Sequence, residues 1–332
     1  MNNHTLLDLD QTAALIRAGK VLSLAGDEAL LAQLPAGHWI AGTIPYFIAG
    51  DGGTESRDRV FVTELTTANA ATVDIRRYTT DTIHRIAIDA PENGYTILIL
   101  PAMSAIHAEF ANHARDYEQM FLKPVIGWVA GTHLSELGEI APKACDGRTG
   151  ELLAEVAVAL HVPLPPSLSA TIHILNLFRP DPAADVITFP EDGFSATACH
   201  VNGQPALFAD YLAERRINTR HPLVADYHGA HINTSYREID RDAKTVRFYA
   251  PVFAGIEYRQ AAPVGDYVRE FDALATSGHG KAQFACNCIL NYLYGELRGR
   301  KTGDLRGPAT FGEIGYQLLN QTLVYLDVQH LD

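Results

Sequence analysis

Hydrophobic and polar positions change period repeatedly along this chain, and each change marks an element boundary. Over residues 10–18 the apolar Leu15 and Ile16 follow an acidic cap at Asp10, which predicts a first helix. Residues 20–25 alternate as a short strand, and 27–34 read as a second short helix. Trp39-Ile-Ala-Gly-Thr-Ile-Pro45 is an apolar run broken by glycine and proline, so it predicts a strand ending in a turn. β-Branched and aromatic residues predict strands over 59–65, 72–78 and 95–100. Ile106, Phe110, Ala114, Tyr117 and Phe121 recur at helical spacing, which predicts one amphipathic helix over 104–121. Pro124-Val-Ile-Gly-Trp-Val-Ala-Gly131 is continuously apolar and reads as a buried strand.

Polar, glycine-containing residues 138–150 read as a surface loop, followed by strands over 154–162 and 170–178. Two prolines in 179–185 disfavour helix and mark a linker, dividing the chain into domains 1–185 and 186–332. Beyond it come a strand over 193–201, a tight turn at Asn202-Gly203 and a helix starting at Pro205. Further strands fall over 232–239, 245–249 and 254–259, with a helix over 264–275. Near the end, Gln283-Phe-Ala-Cys-Asn-Cys-Ile-Leu reads as a strand entering a helix at two cysteines. A glycine-flanked turn at Glu313 and a closing strand from Asn320 complete the chain. Strands and helices mix without strict βαβ alternation. The expected class is therefore α+β or mixed α/β, a layered β-sheet core with flanking helices in two related halves.

Composition narrows the functions on offer. The chain has 332 residues, 47% hydrophobic and 20% charged, enough for a full core. A formal net charge of −13 argues against nucleic acid or an anionic membrane as partner. The N-terminal stretch lacks a basic and an apolar signal region, and no apolar run approaches the ~20 residues that cross a bilayer. Four cysteines at no scaffold spacing fit a reducing compartment, so a cytoplasmic location is expected.

Several residues are candidates for chemistry, each with a bland counterpart. Cys286 and Cys288 at a helix start have the placement of reactive thiols, or of small buried hydrophobes. Glu313 between two glycines either projects to a ligand or locks its own turn. His133, after Gly131-Thr132, is a polar group at the end of a buried strand. His228-Gly-Ala-His231 has the spacing of a metal pair on a helix, but its surroundings read as a turn, so no metal is expected. The glycine-rich residues 50–53 have no cation following them, and read as a loop and not as a phosphate cradle. Nucleotide-binding, serine-elbow and zinc-protease motifs are absent from the sequence, and no cofactor is expected.

At several of these residues the chain resembles the FIST family, bacterial sensory proteins with a FIST N-terminal and a FIST C-terminal domain. The resemblance rests on Cys286 at a strand end, Gly312-Glu-Ile314 and Asn320-Gln-Thr322. It also rests on Val201-Asn-Gly-Gln-Pro-Ala-Leu207 with Tyr211, and on glycine-ended strands at Ile40-Ala-Gly-Thr43 and Pro124-Val-Ile-Gly127. It departs where the family commonly has glycine-arginine after the cysteine, since Asn287-Cys288 stands there; the ligand does not carry over. The resemblance implies a small-ligand sensor, with an amino acid or similar polar metabolite as ligand and a signalling protein as the receiver of its output. On that reading Gly42, Thr43, Gly131, Thr132, His133, Cys286, Asn287 and Glu313 are the candidate ligand-binding residues. Two alternatives stay open: a thiol-dependent hydrolase using Cys286 or Cys288, and a protein-interaction scaffold without ligand. The oligomeric state is not legible.

Overall fold

The computed structural model describes residues 4–227, 230–275 and 282–331. Among them lie 27 strands and six α-helices, an α+β chain of layered sheets as the sequence predicts. By contacts the chain divides unequally. The first unit takes the residues up to Leu175, then Val268–Leu318 and the residues from Leu323 onward; the second takes Asn176–Tyr267 with Leu319–Thr322. The expected boundary at 185/186 therefore differs from the observed one. The second unit is an insertion, and most of the C-terminal residues belong with the N-terminal ones.

Sheet order in the first unit explains that return. One six-stranded sheet runs Leu168–Asn176, Thr322–His330, Phe284–Cys288, Gly307–Thr310, Tyr46–Ala49, Gly52–Glu55, so the C-terminal strands complete a sheet begun near residue 46. Another has Gly94–Pro101 at its heart, parallel to Val125–Ala130 and antiparallel to Ala157–Pro163. Every residue of Gly94–Pro101 and of Val125–Ala130 is buried, as continuous apolar runs require. Here the glycine within the Val125–Ala130 strand is a necessity of packing: a Cβ on Gly127 would fall 1.8 Å from the Leu98 carbonyl oxygen. The third sheet pairs Leu22–Gly26 with Trp39–Thr43 in parallel and packs Leu22, Leu24, Trp39, Val60 and Val62 into one cluster.

Local chemistry sets the element ends. The first helix, Leu9–Arg17, starts two residues earlier than a cap at Asp10 implies, because Asp8 caps it and Gln11 closes a capping box. The expected helix over 104–121 stops at His113 (Ala105–His113, capped by Ser104) and tightens into a 3-10 turn at Ala114–Asp116. Residues 138–150 hold a buried strand, Ala144–Asp146, beside Trp39–Thr43. Its Asp146 carboxylate is fully buried yet its pKa is lowered; burial pushes it up, but hydrogen bonds from Arg148 and Arg77 outweigh that.

The second unit, taken by itself, has a six-stranded sheet and a three-stranded sheet with one helix, Phe208–Glu214. Its core is aromatic: Phe189 meets Phe208 and Tyr258 edge-on, Tyr236 meets Phe248 tilted, and Phe208 stacks on Tyr236. Asn202 and Gly203 both take positive φ, 50° and 80°, forming the predicted hairpin turn between Val201 and Gln204. Pro205 lies in the Gln204–Leu207 strand that follows, so the helix begins at Phe208 and not at the proline.

Candidate functional site

The strands Trp39–Thr43 and Val125–Ala130 end side by side in the first unit, and their ends are tied together. Gly131 N–H donates to the Thr43 carbonyl at 2.7 Å, and the Thr43 hydroxyl donates to the Gly131 carbonyl at 2.8 Å. The same hydroxyl accepts from Lys143 N–H at 2.9 Å. Gly131 cannot carry a side chain, since a Cβ would lie 2.4 Å from the Phe311 ring. Beside these strand ends lies a cleft of about 400 Å³ whose lining includes Thr43, Gly131, Thr132 and His133. That volume is within the range of small-molecule sites.

Charged groups of both signs line the same cleft. Asp27 caps the short helix Glu28–Leu31 by accepting from Ala29 N–H, and its other oxygen accepts from Arg57 Nε at 2.8 Å. Arg57 also grips Glu136 with two nitrogens, at 2.8 and 3.2 Å. Those bonds to Glu136 and Asp27 raise the guanidinium further above its already high range. Glu28, also in the lining, pairs with Lys143. His133 is fixed on both ring nitrogens. Its Nδ1 accepts from Ser135 N–H at 3.2 Å, which leaves Nε2 to donate to Glu55 at 3.0 Å. The ring stacks on Tyr46, with centroids 5.6 Å apart and planes 22° off parallel.

The remaining sequence-named residues lie elsewhere. Gly42 is a packing position: a Cβ there would sit 2.6 Å from the Trp128 ring and 2.9 Å from Ile99. Cys286, Asn287 and Glu313 are buried and do not line the cleft. Glu313 is on a strand, Glu313–Gly315, opposite Trp128, and not on the turn that its flanking glycines suggest. Thr310 Oγ1 stands between Asn287 O at 3.2 Å, Gly312 O at 3.0 Å and Glu313 Oε1 at 3.4 Å, knitting this polar cluster together. Asn287 Oδ1 accepts from Cys288 N–H and Asn291 Nδ2, at 2.8 and 2.9 Å.

The cysteines follow burial and not the helix start. The Phe284–Cys288 strand does enter a helix, Ile289–Tyr294, with Cys288 at its cap. Burial first, and then Glu313 and Cys288, push the Cys286 thiol well above its ordinary range. Its Sγ donates to the Gly127 carbonyl at 3.4 Å. A nucleophile needs the opposite, a lowered pKa and access.

Asp27, Glu28, Arg57 and Glu136 escaped the sequence reading as lining residues. Asp27 has the local signal of a capping residue before an apolar pair; Arg57 sits in a loop and Glu136 in a 3-10 turn, Leu134–Glu136, with no motif around them. Of the histidine pair, His228 lies outside the described residues, and His231 is on a strand opposite Asp226. Among the described residues no group of three or more His, Cys, Asp and Glu is placed to hold a metal. No helix among them is long and apolar enough to cross a membrane.

Fold and site together define an α+β protein with a mixed-charge cleft at paired strand ends. The chain belongs to a family described as "Family of unknown function (DUF6976)", which it matches over residues 7–329. No curated protein and no solved structure matches it.

Proposed function

We propose that the protein is a cytoplasmic small-molecule-binding sensory module of FIST type, with its ligand in the Thr43–Gly131 cleft. The observation that carries the reading is the cleft itself, where carboxylates and a guanidinium face one space beside ordered strand ends. That lining suits a zwitterion such as an amino acid: Asp27, Glu28 and Glu136 offer partners for an ammonium, and Arg57 one for a carboxylate. These charges already pair with one another, so a ligand binds by exchanging one ion pair for another and specificity resides in geometry.

Four buried free cysteines accord with a reducing compartment. The thiol-hydrolase alternative has no accessible thiolate to rest on. A thermal-shift screen of amino acids and polar metabolites tests the reading; saturable stabilisation by a zwitterion supports it. No stabilising compound at millimolar concentration counts against it.

A further inference from the structure

Residues 50–53 form the tip of the hairpin that joins Tyr46–Ala49 to Gly52–Glu55. No cation adjoins these glycines in sequence, but the fold brings cations to them from far along the chain. Gly53 N–H donates to the Arg300 carbonyl at 3.0 Å, and Gly299 N–H donates to the Gly53 carbonyl at 2.7 Å. The two backbones meet so closely that a Cβ on Gly52 would fall 2.8 Å from Arg300 N, and one on Gly53 would fall 2.3 Å from the Leu297 carbonyl oxygen. Glycine is required at both positions, and Gly52 also has φ +108°.

The consequence is a local excess of positive charge on an acidic protein. Arg298, Arg300, Lys301 and Arg306 come from one loop, and Arg306 Nη1 lies 3.4 Å from where a Cβ on Gly50 would be. Arg298, Arg300 and Lys301 are exposed. Among the described residues Arg298, Lys301 and Arg306 make no ion pair, although Asp51 and Asp304 lie in the same two segments and Glu296 just before the second.

Two buried hydroxyls accompany the cations. Tyr292 Oη and Thr302 Oγ1 are shielded from solvent and have no hydrogen-bond partner among the described residues. The hydroxyl end of the Tyr292 ring lies against the hairpin, its Cε2 being 2.9 Å from the Cβ position of Gly53. Thr302 lies in the cationic loop itself. Unmet buried donors beside unpaired guanidinium groups are the equipment of an oxyanion site.

We propose that the hairpin tip at residues 50–53 and the loop at residues 298–306 together bind a phosphate group, with Arg298, Lys301 and Arg306 as its cationic ligands. The group is either free or carried as a monoester on a small molecule. Tyr292 and Thr302 supply hydroxyl donors. This site is separate from the cleft: none of its residues lines that space, and its ligand is an anion and not a zwitterion.

Titration calorimetry with inorganic phosphate and with glucose 6-phosphate, at matched ionic strength in chloride, tests the proposal on the full chain. Saturable binding of either, one per chain, is expected; which of the two binds tells a free anion from a monoester. Arg306→Gln and Lys301→Gln each weaken it at least tenfold, while Arg247→Gln in the second unit leaves it unchanged. Lys301 is exposed, so its variant decides the matter if Arg306→Gln does not fold. No saturable binding of either compound, or equal binding by wild type and the Lys301 variant, would overturn the proposal.

Discussion

Thr43 and Gly131 hold each other by two reciprocal bonds, N–H to carbonyl at 2.7 Å and hydroxyl to carbonyl at 2.8 Å. These residues come from strands 88 positions apart, and their pairing fixes the wall of the cleft. Thr43→Val keeps the shape but removes the hydroxyl, which also strips Lys143 N–H of its acceptor. The expected loss is about 1–3 kcal/mol, the cost of buried polar groups left unsatisfied. Urea denaturation checks this, and Thr43→Ser should restore most of the loss. Equal stability of Thr43→Val and wild type would contradict the role given to the hydroxyl.

Gly42 was a candidate for the ligand and is instead a seat for Trp128. A methyl group there meets the indole at 2.6 Å and Ile99 at 2.9 Å, both in the core. Gly42→Ala is expected to destabilise the chain by about 1–3 kcal/mol through overpacking. The change should appear as a lower denaturation midpoint with an unchanged slope.

The thiols offer a direct chemical test. All four cysteines are buried, and burial pushes Cys145 to about 12, Cys199 to about 11 and Cys286 well above its ordinary value. Ellman's reagent at pH 8 is expected to find essentially no reactive thiol in the folded protein and four after denaturation. Rapid labelling of Cys286 in the folded state would reinstate the hydrolase reading.

Two buried histidines make stability depend on pH. His107 and His161 both have pKa values lowered to about 4, chiefly by burial. In the unfolded chain they titrate at the ordinary value near 6.5, so between pH 6.5 and 4 the unfolded state binds protons that the folded state refuses. Stability is therefore complete above about pH 7 and falls as pH drops through that window, on the order of 2 kcal/mol per histidine by pH 5. His161 is neutral within a chain of bonds, with Thr96 Oγ1 at 2.8 Å from Nδ1 and Tyr78 Oη at 2.9 Å from Nε2. His161→Gln should cost stability at pH 7 but reduce the loss between pH 7 and pH 5. Denaturation curves at the two pH values measure both effects.

Contiguous patterns were readable in the sequence. The run around Ile97 showed a strand, that around Ile126 a buried strand, and Asn202-Gly203 its hairpin, because a local rule fixes each. Long-range partners were hidden. Ala144–Asp146 looked like loop since Lys143, Asp146, Gly147 and Arg148 are polar or flexible. What makes it a strand is Trp39–Thr43 on one side, and Arg77, 69 residues away, reaching Asp146 at 2.7 Å. Glu313 looked like a turn carboxylate because glycines flank it, whereas the strand facing it begins at Val125. The hairpin at residues 50–53 has no cation adjoining it in sequence but meets Arg298, Arg300 and Arg306 in the fold. Of the eight residues named for a ligand, Thr43, Gly131, Thr132 and His133 share the cleft, because strand ends can be read locally. The cysteine cluster was joined to them only by chemistry of residue type, and sheet pairing puts it in the interior.

Arg57 gives the most direct measurement on the cleft. It is half exposed, so Arg57→Gln should change stability by less than about 1 kcal/mol. Its loss removes a guanidinium facing the cleft's carboxylates, worth about 1.5–3 kcal/mol for a charge-assisted bond to a ligand carboxylate. Calorimetric titration of the best-stabilising amino acid into wild type and Arg57→Gln is the decisive comparison. One site per chain in wild type, with affinity about tenfold or more weaker in the variant, is the expected result. Equal affinity in the two proteins, or no amino acid that binds the wild type, would contradict a zwitterion-binding cleft.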